Sequence, residues 1–182
     1  GLSSVLVRVA FPLFSAAAHD KVLLRRGMQF ATRAMMLMNV PMMMGLAVVA
    51  HPLVLVLLGE QWLPMVPLLQ VLCIGGILWP LHVLNLNVLT AQGHSKLFFR
   101  LEFIKKLLGI LFLIVGSFYG VLGIAWSQVG YSVFAFFINA HYTKQHLNYG
   151  VLAQTRDFIT ILAIGVAMAL LVFLLDRQLS LV

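Results

Sequence analysis

The sequence predicts an all-α fold: a polytopic transmembrane helix bundle with about five full spans plus the end of a sixth. Three observations predict it. Hydrophobic residues make up 62% of the 182 residues and charged ones only 9%, whereas a soluble domain carries about 25% charged residues. The apolar residues gather into runs near the length a helix needs to cross a bilayer, about 20 residues. The connections between those runs also alternate between basic and charge-poor, as the positive-inside rule requires of a multi-pass protein. The net charge of +7 is therefore read as basic membrane-flanking loops, and nucleic acid is not an expected partner.

In chain order, the expected spans are 1–14 (partial), 30–50, 64–90, 104–118, 121–140 and 158–175. The span at 104–118 is short, and Lys105 and Lys106 are expected to bend toward the headgroups on their long apolar stems. The first connection holds Lys21, Arg25, Arg26 and Arg33, and the second, GEQWLP, has Glu60 and no cation. The third carries Lys96, Arg100, Lys105 and Lys106, the turn GSFYGVLG is uncharged, and the last contains Lys144 and Arg156. Segments 15–33, 91–106 and 141–157 are thus expected to be basic cytoplasmic loops, with Arg177 on the other side. The chain starts at Gly1 within an apparent helix, so a fragment of a longer protein is expected.

Trp62 and Tyr119 fall at expected outer span ends, where amphipathic rings favour the interface. Pro41, Pro52, Pro64, Pro67 and Pro80 lie in or beside spans. Such breaks persist in lipid only where neighbouring helices or trapped water satisfy the freed backbone groups, which suggests a cavity-lining bundle. Gly116 and Gly120 match a small-xxx-small packing pattern, but their place at a hairpin favours tight turning.

No catalytic set or cofactor motif emerges, and no metal site is expected. The six histidines are scattered, Cys73 is the single cysteine, and the five acids fall at expected span ends or in connections. The methionines Met35, Met36, Met38, Met42, Met43 and Met44 surround their helix, which fits flexible packing better than a soft-metal path.

The polar residues inside the spans are the candidate contacts. At 100° per residue, Gln128, Ser132, Ala135 and Asn139 fall within about 60° of one another, with Tyr131 and Tyr142 beside them. The stripe serves either helix–helix hydrogen bonding or a hydrated wall suited to sugar hydroxyls. In WPLHVLNLNVLTAQG, His82 and Asn85 share a face, whereas Asn85 and Asn87 lie about 200° apart. One asparagine is therefore expected to be a packing or capping residue. Arg8 sits one turn inside the break at Pro12. It either snorkels or stands at a cavity mouth, where its planar fork would hold a phosphate.

Taken in order, RVAFPLFSAAAHDKVLLRRG, NVPMMMGLAVVAHPLVLVLLGEQWLPMVPLLQVL and LNVLTAQGHSKLFFRLEFIKK resemble bacterial polysaccharide-export flippases. These are the lipopolysaccharide-biosynthesis transporters of the colanic-acid and O-antigen type. They belong to the multidrug/oligosaccharidyl-lipid/polysaccharide exporter superfamily. The landmarks are the FP.FS span end, the GE.WLP outer knuckle and the AQG.S entry to the next inner loop.

The resemblance implies two six-helix lobes around a central cavity, with residues 1–182 supplying most of the C-terminal lobe and an N-terminal lobe of the same chain as partner. It implies a non-enzymatic transporter in the bacterial cytoplasmic (inner) membrane. That transporter moves an undecaprenyl-diphosphate-linked oligosaccharide between leaflets by alternating access, with the lipid tail left in the membrane. Arg8 then matches the arginine before VAFP and becomes a pyrophosphate candidate; Gln128, Ser132, Asn139, His82 and Asn85 are the other candidate substrate contacts. The alternatives are a related transporter for a cationic drug or a peptidoglycan precursor, and a small non-transport scaffold. A drug antiporter would want an intramembrane carboxylate.

Overall fold

The computed structural model describes residues 20–93 and 95–179. Seven α-helices and one 3-10 helix make up the described chain, and no strand occurs among the described residues. The expected partial span at 1–14, with Arg8 and Pro12, lies outside them.

Helix α1 is Lys21–Val48. Asp20 starts it: the carboxylate accepts from the backbone N–H groups of Val22 and Leu23 at 2.9 and 3.0 Å, satisfying two donors that have no intrahelical partner. Helix α2, Ala50–Leu58, follows after a break at Val49. Pro52 accounts for the break, since its ring opposes the carbonyl four residues earlier, that of Val48. A 3-10 turn, Glu60–Met65, then reverses the chain. Gly59 opens it at φ 91°, ψ 171°, a conformation open essentially to glycine alone.

The next span is broken in two, α3 (Val66–Gly76) and α4 (Trp79–Ala91), each with proline in its first turn. Pro80 stands four residues after Gly76, so the α3 carbonyls at the break lose their helical partners. Asn39 of α1 replaces them: its amide Nδ2 donates to the Gly76 and Ile77 carbonyls, each at 3.1 Å. The prediction that neighbouring helices satisfy the proline breaks is thus met by a named side chain. Near the other break, Gln70 donates to the Ala47 carbonyl at 3.1 Å.

Helix α5 (Ser95–Ser117) and helix α6 (Gly120–Leu147) form a close-packed hairpin, and helix α7 (Val151–Leu179) returns along α1. Helices α1 and α7 run parallel, with Arg33 against Asp157 and Val40 against Gly165 further along. The broken pair α3–α4 is wedged between α1 and α6. Two apolar clusters hold this arrangement. One, with Leu24, Met28, Leu84 and Tyr149, lies toward the basic helix ends, and the other, with Met36, Val40, Leu81 and Phe136, lies above it. Met35 and Met36 are core residues, whereas Met38 and Met42 are exposed, in keeping with the packing reading.

Among the described residues, four helical segments are long and apolar enough to cross a membrane: Lys21–Val48, Glu60–Ala91, Gly120–Leu147 and Val151–Val172. The expected span 104–118 falls on the second half of α5, whose first half carries Lys96, Arg100, Glu102, Lys105 and Lys106. Large apolar side chains such as Leu37, Val56, Ile114 and Leu170 face outward, the arrangement of a bundle whose solvent is lipid. Trp62 and Tyr119 are exposed at their turns.

The basic segments differ from the expectation of loops. Residues 21–33, 95–106, 141–147 and 151–157 are helical. Helices of 28 residues, such as α1 and α6, are about 42 Å long at 1.5 Å per residue. They outrun a hydrocarbon core of about 30 Å, so their cations ride on helix ends. The hairpin glycines also divide their work. Gly120, at φ 73°, makes the turn, while Gly116 lies against Gly123 and Ser127 of α6.

Candidate functional site

A cleft of about 620 Å³ opens between α1, α3, α4, α5 and α6. Its polar wall includes Asn39, His82, Glu102, Lys105, Gln128 and Ser132, with Tyr131 and Trp79 supplying ring surfaces. The sequence stripe on α6 points largely into this space: Gln128, Tyr131, Ser132 and Ala135 all line it. Helix periodicity brought these side chains to one face, and packing against α3 and α4 turned that face inward.

His82 sits at the back of the cleft and ties α4 to α6. Its Nδ1 is 3.3 Å from Asn139 Nδ2 and its Nε2 is 2.9 Å from Ser132 Oγ. An amide NH2 can only donate, so Nδ1 accepts and the ring proton belongs on Nε2, directed at the serine. The Ser132 hydroxyl turns toward the Gly75 carbonyl at the proline break, 3.5 Å away. Asn139 is fully buried and fixes the imidazole from behind. It is a helix–helix contact and does not reach the cleft wall.

Asn85 departs from the sequence reading. It was grouped with His82 on one face, yet it is fully buried on another side of α4, where it pairs with Gln154 of α7. The two amides exchange hydrogen bonds of 2.9 and 2.8 Å, and Gln154 also donates to the Tyr149 carbonyl at 3.1 Å. Because α4 is enclosed by helices, a turn of about 60° from His82 to Asn85 is enough to change the neighbour from α6 to α7. Asn85 is therefore the packing asparagine. Asn85→Leu is expected to strand the Gln154 amide and cost about 1–2 kcal/mol. Thermal unfolding in nanodiscs should fall while transport per folded molecule is unchanged; the reverse pattern would return Asn85 to the cleft.

The larger correction concerns α5. Lys105, expected to bend toward the headgroups, is buried and forms an ion pair with Glu102 one turn earlier. Both line the cleft. Glu102, expected in a connection, lies on helix α5, which starts at Ser95; of the charges on that half of the helix Lys105 is buried and Glu102 partly exposed, while Lys96, Arg100 and Lys106 are exposed. Charged side chains inside a membrane bundle face the interior or water and find partners, and this pair does both. Asn39 was also missed. The proline four residues after Gly76 signals a freed carbonyl, but nothing in the sequence says which helix supplies the donor.

The sequence as a whole has known relatives. A family profile described as polysaccharide biosynthesis protein matches residues 1–67. The teichuronic acid biosynthesis protein TuaB of Bacillus subtilis is 29% identical over 170 residues, which is 91% of this chain and 35% of the relative. The lipopolysaccharide biosynthesis protein WzxC of Escherichia coli is 28% identical over 116 residues, 64% of this chain and 24% of the relative. The succinoglycan biosynthesis transport protein ExoT of Rhizobium meliloti is 36% identical over 78 residues, 42% of this chain and 16% of the relative. The chain thus spans about a third or less of the length of these relatives. No solved structure matches. The resemblance to polysaccharide-export proteins is matched both by the family profile and by these relatives.

Proposed function

We propose that this chain belongs to a polysaccharide-export flippase, forms most of its C-terminal lobe, and helps to carry a lipid-linked oligosaccharide across the bacterial inner membrane. The observation that carries this reading is the cleft: a half-open space of about 620 Å³ that gathers Asn39, His82, Glu102, Lys105, Gln128 and Ser132 onto an otherwise apolar wall, in a bundle faced with apolar side chains. A bundle that only anchored or scaffolded would close such a space with apolar packing. The relatives are named for teichuronic acid, lipopolysaccharide and succinoglycan biosynthesis, which favours a saccharide cargo. The undecaprenyl-diphosphate carrier follows from the resemblance.

On this reading Gln128, Ser132 and Tyr131 meet sugar hydroxyls, since amide and hydroxyl groups both donate and accept. Lys105 gives the wall a cation for the pyrophosphate; Arg8, outside the described residues, is a second candidate on the resemblance alone. The basic helix ends lie in the cytoplasm. The step is movement without bond-making: the opposing lobe rocks against this one and the cleft opens to each side in turn.

The Glu102 carboxylate favours a second reading, a cationic cargo, because such an antiporter needs an acid inside the membrane. Its pairing with Lys105 offsets its charge, so the cleft is not a bare cation trap. The saccharide reading is therefore preferred.

The test is a double substitution, Gln128→Ala with Ser132→Ala, in the intact transporter. Two lost hydrogen bonds at about 1 kcal/mol each correspond to roughly tenfold or more in flux. Lipid-linked precursor should accumulate on the cytoplasmic side at normal protein level. Unaltered export overturns the cleft assignment. Arg8→Ala in the same assay tests the arginine separately.

A further inference from the structure

A second concavity, about 580 Å³, lies between α1 and α7. Its α1 wall comprises Phe30, Arg33, Ala34 and Leu37. On a regular helix these lie about 120° or more from Asn39, so the groove faces outward, away from the cleft. Across from them stand Arg156, Asp157, Thr160 and Ile161 of α7.

The charges at this groove are organised. Arg33 donates from Nε and Nη2 to Asp157 Oδ1 at 3.2 and 2.6 Å. The Tyr149 hydroxyl donates to Oδ2 at 2.7 Å. Burial, followed by that hydrogen bond, holds the Tyr149 phenol above its ordinary pKa, so it stays a donor. Both oxygens of Asp157 are thus engaged, and its side chain is only 9% exposed. Arg156 is exposed and makes no ion pair among the described residues. Arg33 keeps Nη1 outside its bond to Asp157 and remains 62% exposed. Two guanidinium groups against one carboxylate leave a single positive charge.

The apolar part of the groove lies in the direction that lipid tails need. Leu37 is one turn beyond Arg33 and Ile161 one turn beyond Asp157. Because α1 and α7 run parallel, both helices pass from charge to hydrocarbon over the same 5–6 Å or so. Phe30 closes the shallow end.

We propose that this groove binds an anionic phospholipid of the phosphatidylglycerol class. Its phosphodiester sits between Arg33 and Arg156, and an acyl chain lies along Leu37 and Ile161. The charge of one phosphodiester matches the uncompensated guanidinium. Arginine's planar fork suits its oxygens, and the Thr160 hydroxyl offers a further donor. The site rests on the membrane-spanning fold and not on the transport reading.

The test is native mass spectrometry of the intact protein, released from nanodiscs holding equal phosphatidylglycerol and phosphatidylcholine. The wild type should retain phosphatidylglycerol about tenfold over phosphatidylcholine, the scale of a charge-assisted contact. Arg156→Gln, an exposed residue outside the core, should bring that ratio close to unity. Arg26→Gln removes an equal charge from the same end of α1 but outside the groove, and should leave the ratio unchanged. Equal retention by wild type and Arg156→Gln overturns the proposal. So does an equal loss in both variants, which would mean diffuse attraction. Export is not read in this experiment, so its outcome leaves the flippase reading untouched.

Discussion

Lys105→Met is expected to produce the largest functional loss of any single substitution in the described residues. It strands Glu102 beside a buried apolar stem and removes the one Lys or Arg that lines the cleft with His82 and Tyr131 among the described residues. Breaking a buried ion pair by deleting one partner costs about 3–5 kcal/mol. The low end applies here, because the Glu102 side chain is 32% exposed. Thermal unfolding in nanodiscs should record that fall. The single variant does not separate stability from transport; the double variant Lys105→Met with Glu102→Gln does. With both charges gone, stability should return to within about 1–2 kcal/mol of the wild type, since neutral replacement of a buried pair is often nearly neutral. Export should stay blocked if the cation holds a pyrophosphate. Recovery of export would reduce the pair to a structural element. Glu102→Gln alone completes the set: it leaves the buried Lys105 with only a neutral partner, so it too should lower the unfolding temperature, while export per folded molecule should be largely retained. Loss of export in that variant would favour a cationic cargo.

The distance between the charged sequence and the buried pair shows where sequence reading stops. Apolar runs, proline positions and the 100° stripe depend on local periodicity. The bundle and the cleft-facing set Gln128, Tyr131 and Ser132 were legible for that reason. Lys105 and Glu102 were read as membrane-flanking because charges are costly in lipid. That cost is offset where a buried charge finds a partner, as Lys105 does in Glu102, and only the tertiary arrangement tells which face of the helix is covered. The same limit separates His82 from Asn85. A wheel puts them side by side, but an enclosed helix meets a different neighbour every 60° or so. Pairings such as Arg33 with Asp157, 124 residues apart, leave no periodic trace at all.

Gly116→Leu is expected to be the most damaging substitution for the fold itself. A Cβ at Gly116 would stand 2.6 Å from Ser127 Oγ and 2.8 Å from the Gly123 carbonyl oxygen. The serine is not free to swing aside, because its hydroxyl donates to the Ile124 carbonyl at 2.7 Å. The Gly123 oxygen is backbone and moves only if α6 moves. Any side chain at 116 therefore pushes the two arms of the hairpin apart near their turn. Overpacking of a well-packed site costs about 1–3 kcal/mol, occasionally more, and a leucine against backbone belongs at the upper end. Separation of α5 from α6 would also displace Lys105 and Glu102 from the wall that Gln128 and Ser132 form, so the cleft would widen with the hairpin. Two measurements check this. Thermal unfolding should drop further for Gly116→Leu than for Gly116→Ala. A disulfide or spin-label pair across the hairpin, at exposed positions Leu113 and Trp126, should report a greater separation in the leucine variant. Equal stability and unchanged separation would mean that the turn at Gly120 alone, with its φ of 73°, holds the hairpin, and that the contact at Gly116 is incidental.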